Sequence, residues 1–472
     1  MLKSTSLLSC LVCIFLLQGM VLSAQMDVDQ SMLKKIHRDI LLHGEVYHWL
    51  RGLSEGIGGR LAGSPESMEA VHYVHRILDT LGLDAVRDQP CTIPNYWTRG
   101  AVEKVIVQTD ERNIDLPCTT LGGSPSTPKG GLQAVVIEVQ GLDDIERLGR
   151  DVIEGKIVFY NRPMDAGKIE TFHAYGKAVD QRVFGPEMAS KYGAAGCIVR
   201  SMTNVLDDVP HTGVTIFRDK VKPIPALAIS TKAADELSAL LREGMYNVYM
   251  ETHAKNHGPV SSFNVLGEIK GSQHPENIIV VGGHLDAWDN GTGAHDDGAG
   301  IVQGMEVLYT FKRLGYQPKN TIRFVAFMNE ENGSGGARAY ADSAKQSTDF
   351  HLAAIESDAG GFTPRGFTYA ADSSVLGAYK EQLESGIEAA LRPFDIYVKA
   401  GGSGADIGPL KGQGTLLFGL RPDPQRYFDF HHTAIDRIEA VNERELKMGA
   451  AAMTSLVYLL DNYLQRPDAT NK

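Results

Sequence analysis

The chain has 472 residues, 43% hydrophobic and 22% charged, a globular composition with room for two or three domains that excludes a disordered tail protein. Lys and Arg together number 46 against 58 Asp and Glu, a formal net charge of -12, so neither nucleic acid nor an anionic lipid surface is an electrostatic partner. Glycine, at 50 residues, exceeds the average usage of about 7% and implies tight turns or close backbone approaches.

Lys3, the apolar run 7–22 and the small residues Ser23 and Ala24 read as a secretory leader over residues 1–24, cleaved near Ala24. The run is short for a membrane span and Gln18 interrupts it, so a stable membrane anchor is not expected. The product is secreted, or periplasmic in a bacterium. Cys10 and Cys13 leave with the leader, and Cys91, Cys118 and Cys197 are too few for a disulfide framework. A Cys91 to Cys118 bridge stays open, while Cys197 reads as a buried strand thiol. Residues 25–50 suit an amphipathic helix or a propeptide. Ser64 caps a helix beginning at Pro65, on which His72 and His75 favour a solvated face over a shared metal.

From 116 to 255 the texture changes to short apolar runs at 134–139, 156–160, 197–200 and 226–229, an inserted β-rich unit without catalytic clusters of its own. Residues 256–472 then alternate: strand 277–281, helix 298–314, strand 321–328, helix 336–343, strands 351–355 and 415–420, and a closing helix 442–464. This alternation, joined by 25–115, predicts an α/β fold with a doubly wound, mixed but mainly parallel sheet and helices on both faces. Functional residues should collect past the carboxyl ends of its strands.

They do. Gly283-His284-Leu285-Asp286 follows the first of these strands, and His295-Asp296-Asp297-Gly298 comes twelve residues after His284. Glu330-Glu331, Asp358 and Phe430-His431-His432-Thr433 follow later strands or precede the last helix. Alone, each is an acidic turn, a helix cap at Asp297 or a structural histidine; together they are a metal-ligand set. Two imidazoles with three or four carboxylates exceed one tetrahedral ion and suggest two ions sharing a carboxylate, with zinc favoured and cobalt or manganese also fitting. Neighbouring side chains of an extended segment diverge, so one of Glu330 and Glu331 is a ligand and the other a general base. Asp286, on the same side as His284, is placed to accept its second ring N–H.

These motifs resemble the co-catalytic di-zinc exopeptidases, the family of the bacterial leucyl aminopeptidases and glutamate carboxypeptidase. Ser262-Phe263-Asn264 and Gly404-Ala405-Asp406-Ile407 look like one branch of it. In the insert, Gly155-Lys156-Ile157-Val158 and Ala194-Ala195-Gly196-Cys197 are similar to a protease-associated domain. The resemblance implies that Asp296 bridges two Zn2+ ions, with His284 and Asp358 on one and Glu331 and His432 on the other. It makes Glu330 the general base, and it implies a homodimer. Relatives carry a tyrosine where His431 stands, so His431 is either an oxyanion donor or the ligand in place of His432.

Other enzyme classes lack their motifs: Gly401-Gly402-Ser403-Gly404-Ala405 misses the last glycine of a nucleophile elbow, and there is no phosphate loop. A non-catalytic, receptor-like binding protein on the same fold is the different-class alternative. Carboxylates near the metals suit a free ammonium, so the expected substrate is a dipeptide or short peptide with a free N-terminus, and carboxypeptidase-type specificity is the alternative. Arg338 and Arg421 are isolated and read as exposed. The sequon at Asn332 follows a proposed ligand, where a glycan would obstruct the site, and reads as a chance match; the one at Asn290 stays open.

Overall fold

The computed structural model describes residues 28–218 and 220–467; the expected leader, with its cleavage position and first two cysteines, lies outside them. Strand β1 (Ala85–Thr98) belongs to one sheet, which the chain then leaves for a second. That second sheet comprises β2 (Glu103–Gln108), β3 (Asn113–Asp115), β4 (Cys118–Thr120), β5 (Leu132–Val139), β6 (Ile157–Tyr160), β7 (Gly196–Arg200), β8 (Ala226–Ile229) and β9 (Asn247–Thr252). The chain returns through β10 (Lys255–Ile269), β11 (His274–His284), β12 (Asn320–Phe327), β13 (Phe350–Glu356), β14 (Pro364–Ala370), β15 (Tyr397–Ala400) and β16 (Leu416–Pro422).

The first sheet reads β1-β10-β12-β11-β13-β16-β14-β15. Its middle strands β12, β11, β13 and β16 are parallel neighbours, with antiparallel pairings toward each edge. The mixed, mainly parallel expectation therefore holds for the centre, where the strands are buried on both faces. The period-2 pattern shows why. Ile279, Val281, Ile322 and Phe324 pack against the helices over 28–43, Val46–Ser54, Ala299–Leu314 and Glu443–Tyr463. Alternate residues Ile278, Val280, Val325 and Phe327 meet Tyr340, Ala341 and Ala344 of the helix Gly335–Gln346 on the other face. Burial of each large side chain contributes about 1.5–3 kcal/mol.

The second sheet, ordered β3-β2-β9-β5-β6-β7-β8-β4, contains all four apolar runs expected as strands, and two of its strands precede Leu116. It also carries helices that the strand pattern did not suggest, including Thr231–Glu243, packed through Ala233, Ala234 and Leu237. Other differences are local. The segment expected as one helix breaks at Gly44-Glu45 into two. Cys91 and Cys118 are free thiols on strands of different sheets, so no bridge joins them, and Cys197 is a buried strand thiol. Ser64 caps Pro65–Thr80 by accepting from the Ser67 N–H, and on that helix His72 is exposed while His75 pairs with Asp88. Among the described residues no helix is long and apolar enough to cross a membrane.

Candidate active site

The parallel strands deliver the predicted residues to one edge. His284 closes β11, and its backbone N–H donates to Asp297 Oδ2 at 3.0 Å. Asp297 Oδ1 also accepts from the Gly300 N–H at 3.0 Å, so this carboxyl braces the backbone at the start of the helix Ala299–Leu314. Glycine is required here for close approach: a Cβ at Gly283 would stand 2.1 Å from Asp297 Oδ2, and one at Gly300 would stand 1.9 Å from the Ser357 carbonyl.

The Asp296 carboxylate is the hub. Its Oδ1 lies 3.2 Å from His284 Nε2, which is itself 3.7 Å from Asp358 Oδ1. Its Oδ2 lies 3.3 Å from His432 Nε2 and 3.8 Å from His431 Nε2, and His432 Nε2 is 3.1 Å from Glu331 Oε2. Two ligand-type groups thus share one carboxylate: His284, Asp296 and Asp358, and Asp296, His431 and His432. Ligands about 2.1 Å from a tetrahedral zinc stand about 3.4 Å apart, the spacing found here. Buried Asp296 Oδ2 and Glu331 Oε1 have no hydrogen-bond partner, as expected of atoms kept for cations.

Electrostatics agree with that donor set. Burial works against a charged His284, but Asp296 and Asp358 outweigh it and hold the imidazole well above its ordinary value. Burial likewise opposes His432, which Glu331 and Asp296 hold at about 9. Asp296 falls well below the usual carboxylate range because the two imidazoles outweigh its burial. Burial lifts Glu331 to about 7 and Glu330 well above its usual value. Burial, reinforced by His432, pushes His431 down.

Two expectations change. Asp286 does not orient the imidazole with its carboxylate: His284 Nδ1 faces the Asp286 backbone carbonyl at 2.9 Å, a nearer acceptor than Asp286 Oδ1 at 3.9 Å. Asp286 Oδ1 instead accepts from the N–H groups of Asn329 (2.7 Å) and Glu330 (3.0 Å), and so fixes the loop that carries both glutamates. That loop is a turn and not an extended segment, with Asn329 at φ 74°. Arg421, expected to be exposed and isolated, is half-buried on β16 and donates to Thr368 Oγ1 and the Gly402 and Ser403 carbonyls; Arg338 is exposed as expected.

Sequence reasoning missed several supports. Asp436 accepts from the N–H groups of His295 (2.7 Å) and Asp296 (3.1 Å), and buried Arg60 donates to the carbonyls of Leu285, Thr292 and Gly293. Glu356 accepts from Ala405 and Ile407 N–H groups. Asp436, four residues past His432, and Arg60 between glycines were visible signals; Glu356 was not. The insert also reaches the site. Phe172, Tyr175, Arg182 and Val214 line a cavity of about 270 Å³ together with Glu330, Asp358 and His431.

Residues 264–457 match Peptidase family M28. Carboxypeptidase Q of Mus musculus is 32% identical over 416 residues, 88% of this chain and 85% of the relative. The chain belongs to peptidase family M28. It is a metallopeptidase, a hydrolase. A crystal structure of a peptidase M28 precursor from Shewanella amazonensis superposes with TM-score 0.87 at 29% identity, covering 94% of this chain and all of the other. The zinc aminopeptidase BSAP of Bacillus subtilis shares the fold at TM-score 0.62 and 21% identity, over 88% of this chain and 94% of its own.

Proposed function

We propose that this peptidase is an exported zinc exopeptidase that releases the N-terminal residue of dipeptides or short peptides with a free N-terminus. The observation that carries this reading is the Asp296 carboxylate, which turns one oxygen to each of two donor groups. His284, Asp296 and Asp358 would hold one zinc ion, and Asp296, Glu331 and His432 the second, with His431 beside it. When bound, the ions supply a water of lowered pKa and polarise the scissile carbonyl.

The chain's own residues then do the proton work and the positioning. Burial raises the proton affinity of Glu330, which suits it to take a proton from water on a carboxylate oxygen and to give it to the departing amine. Asp286 keeps that glutamate in place through the Glu330 N–H. Carboxylates of the cavity pair with the substrate ammonium, and His431 stands ready to donate to the carbonyl oxygen. The division into a peptidase unit and a protease-associated-like insert belongs to the same proposal, with the insert as the cavity's other wall.

Metal analysis with a peptide assay tests this. About two zinc ions per chain, chelator-sensitive release of the N-terminal residue and no turnover of the N-acetylated peptide are expected. Less than one zinc per chain with no chelator-sensitive activity would overturn the enzyme reading, and turnover of the N-acetylated form alone would overturn the aminopeptidase specificity.

A further inference from the structure

A second cavity adjoins the metal cavity. Its volume is about 440 Å³, Phe172 lines both spaces, and Ala359, which lines this one, directly follows the Asp358 that lines the other. Arg421 of β16 lies on its wall, with Thr368 of β14 and Tyr397 of β15. The guanidinium is pinned along one edge. Its Nε donates to Thr368 Oγ1 at 2.8 Å and its Nη2 to the carbonyls of Gly402 (2.8 Å) and Ser403 (3.2 Å), while the Thr368 hydroxyl itself donates to the Gly402 carbonyl. Among the described residues Nη1 makes no hydrogen bond and no carboxylate stands within ion-pair distance of the guanidinium. Burial works against the charge of Arg421, and the more distant Asp358 and Glu356 do not make up the difference. A cation so placed, with two N–H groups unspent, gains from a visiting anion.

We propose that Arg421 selects substrates whose N-terminal residue has an acidic side chain, aspartate or glutamate, by receiving that side chain's carboxylate. This rests on the exopeptidase reading above. The substrate ammonium pairs with the carboxylates of the metal cavity, and Asp358 stands where the two cavities meet. The side chain next to that ammonium is therefore the one that can turn toward Arg421. A space of about 440 Å³ lies within the roughly 300–1,000 Å³ usual for ligand pockets and admits any single side chain, so charge and not size makes the selection. The surrounding groups agree. Lys399, whose Nζ stands 4.4 Å from the Tyr397 ring centroid, adds a second cation and His173 an imidazole, against the single lining carboxylate of exposed Glu170. The bonds from Nε and Nη2 fix the guanidinium plane before a substrate arrives, so little rotamer freedom is lost on binding.

The test compares kcat/KM for aspartyl-alanine and asparaginyl-alanine, which differ by one charge, in the zinc-loaded enzyme. The wild type should favour the aspartyl peptide by about 10- to 100-fold, the worth of a hydrogen-bonded charge. Arg421→Met should bring the ratio near one by raising KM for the aspartyl peptide, with zinc content and turnover of the asparaginyl peptide kept. Should that variant not fold, Lys399→Glu at the exposed rim carries the test and should lower the ratio several-fold. Calorimetry on Glu330→Gln, slowed in turnover, should give the aspartyl peptide the lower Kd. A wild-type ratio near one, the opposite order in calorimetry, an unchanged ratio in a folded variant, or an equal loss on both peptides overturns the proposal and leaves the exopeptidase reading standing. So does turnover of leucyl-alanine alone, or discrimination seen only between alanyl-aspartate and alanyl-asparagine. A wild type inert on all of these peptides overturns the exopeptidase reading itself.

Discussion

Gly283→Ala is the sharpest test of how the backbone holds the metal ligands. The added methyl would stand 2.1 Å from Asp297 Oδ2 and 2.9 Å from the Ser357 carbonyl, so the Asp297 carboxyl must retreat by more than 1 Å. It has nowhere to go: Asp297 is fully buried and tied to the N–H groups of His284 and Gly300. Overpacking costs about 1–3 kcal/mol and the hydrogen bond lost from His284 about 1 more, so urea unfolding should show a loss of about 2–4 kcal/mol. Because His284 is carried on the displaced backbone, zinc affinity should fall about 10- to 100-fold in a competition titration. The control is Gly377→Ala on the exposed helix Ser373–Gln382, where no atom lies near the new methyl. It should gain about 0.4–1 kcal/mol from the stiffer unfolded chain. Unfolding within 0.5 kcal/mol of the wild type and unchanged zinc affinity in Gly283→Ala would refute the close-approach reasoning.

Three further outcomes are expected. Glu330→Gln should keep its zinc and lose about 10²- to 10⁴-fold in kcat, and a variant that retains wild-type kcat would remove Glu330 from the proton work. Asp296→Asn should lower the zinc content per chain below that of the wild type, read by atomic absorption, because both donor groups lose an anionic oxygen. The metal-free chain should lose stability as pH rises from about 7 to 9, above the range in which buried His37, His211, His295 and His351, pushed down to about 3 to 4, act in the opposite direction. Burial holds Glu331 and Glu356 at about 7, so each disfavours folding once the unfolded carboxyl, at 4.5, has ionised. His432, held at about 9 by Glu331 and Asp296 against its burial, stabilises fully below 6.5 and loses that contribution on the way to 9. Urea unfolding after chelation that shows rising stability over this window would contradict the charge arrangement.

Much of the central sheet was legible because its strands are short apolar runs, and β11, β12 and β13 lead within a few residues to a ligand-type residue, as in Val281-Gly282-Gly283-His284. The antiparallel edge was not: β1 contains two prolines, polar residues and an irregular register against β10, so no alternating pattern announces it. All eight predicted site residues meet at one edge, because ligands at strand ends are local in sequence even when far apart in the chain. Roles that depend on a turn were less legible. Asn329 at positive φ converts an extended segment into a turn, and Asp286 is then nearer to that turn's N–H groups than to the ring it was expected to orient.

The insert's share in the site was invisible for a different reason. Its contributions are single residues with no spacing rule: the Thr212 carbonyl faces His432 Nδ1 at 3.3 Å, the Thr212 N–H donates to the His432 carbonyl, and Tyr175 packs edge-on to His431. These contacts tie the histidine loop to the insert, so displacement of the insert would move both imidazoles relative to Asp296. The acidity follows the same logic. Asp296, Glu330, Glu331 and Asp358 share one cavity, where protons on His284 and His432 stand in for cations. Zinc must displace those protons, so its affinity should rise with pH while the stability of the metal-free chain falls. Opposite slopes in the two titrations are the signature of a site built around cations, and parallel slopes would mean that the carboxylates are held by the fold alone.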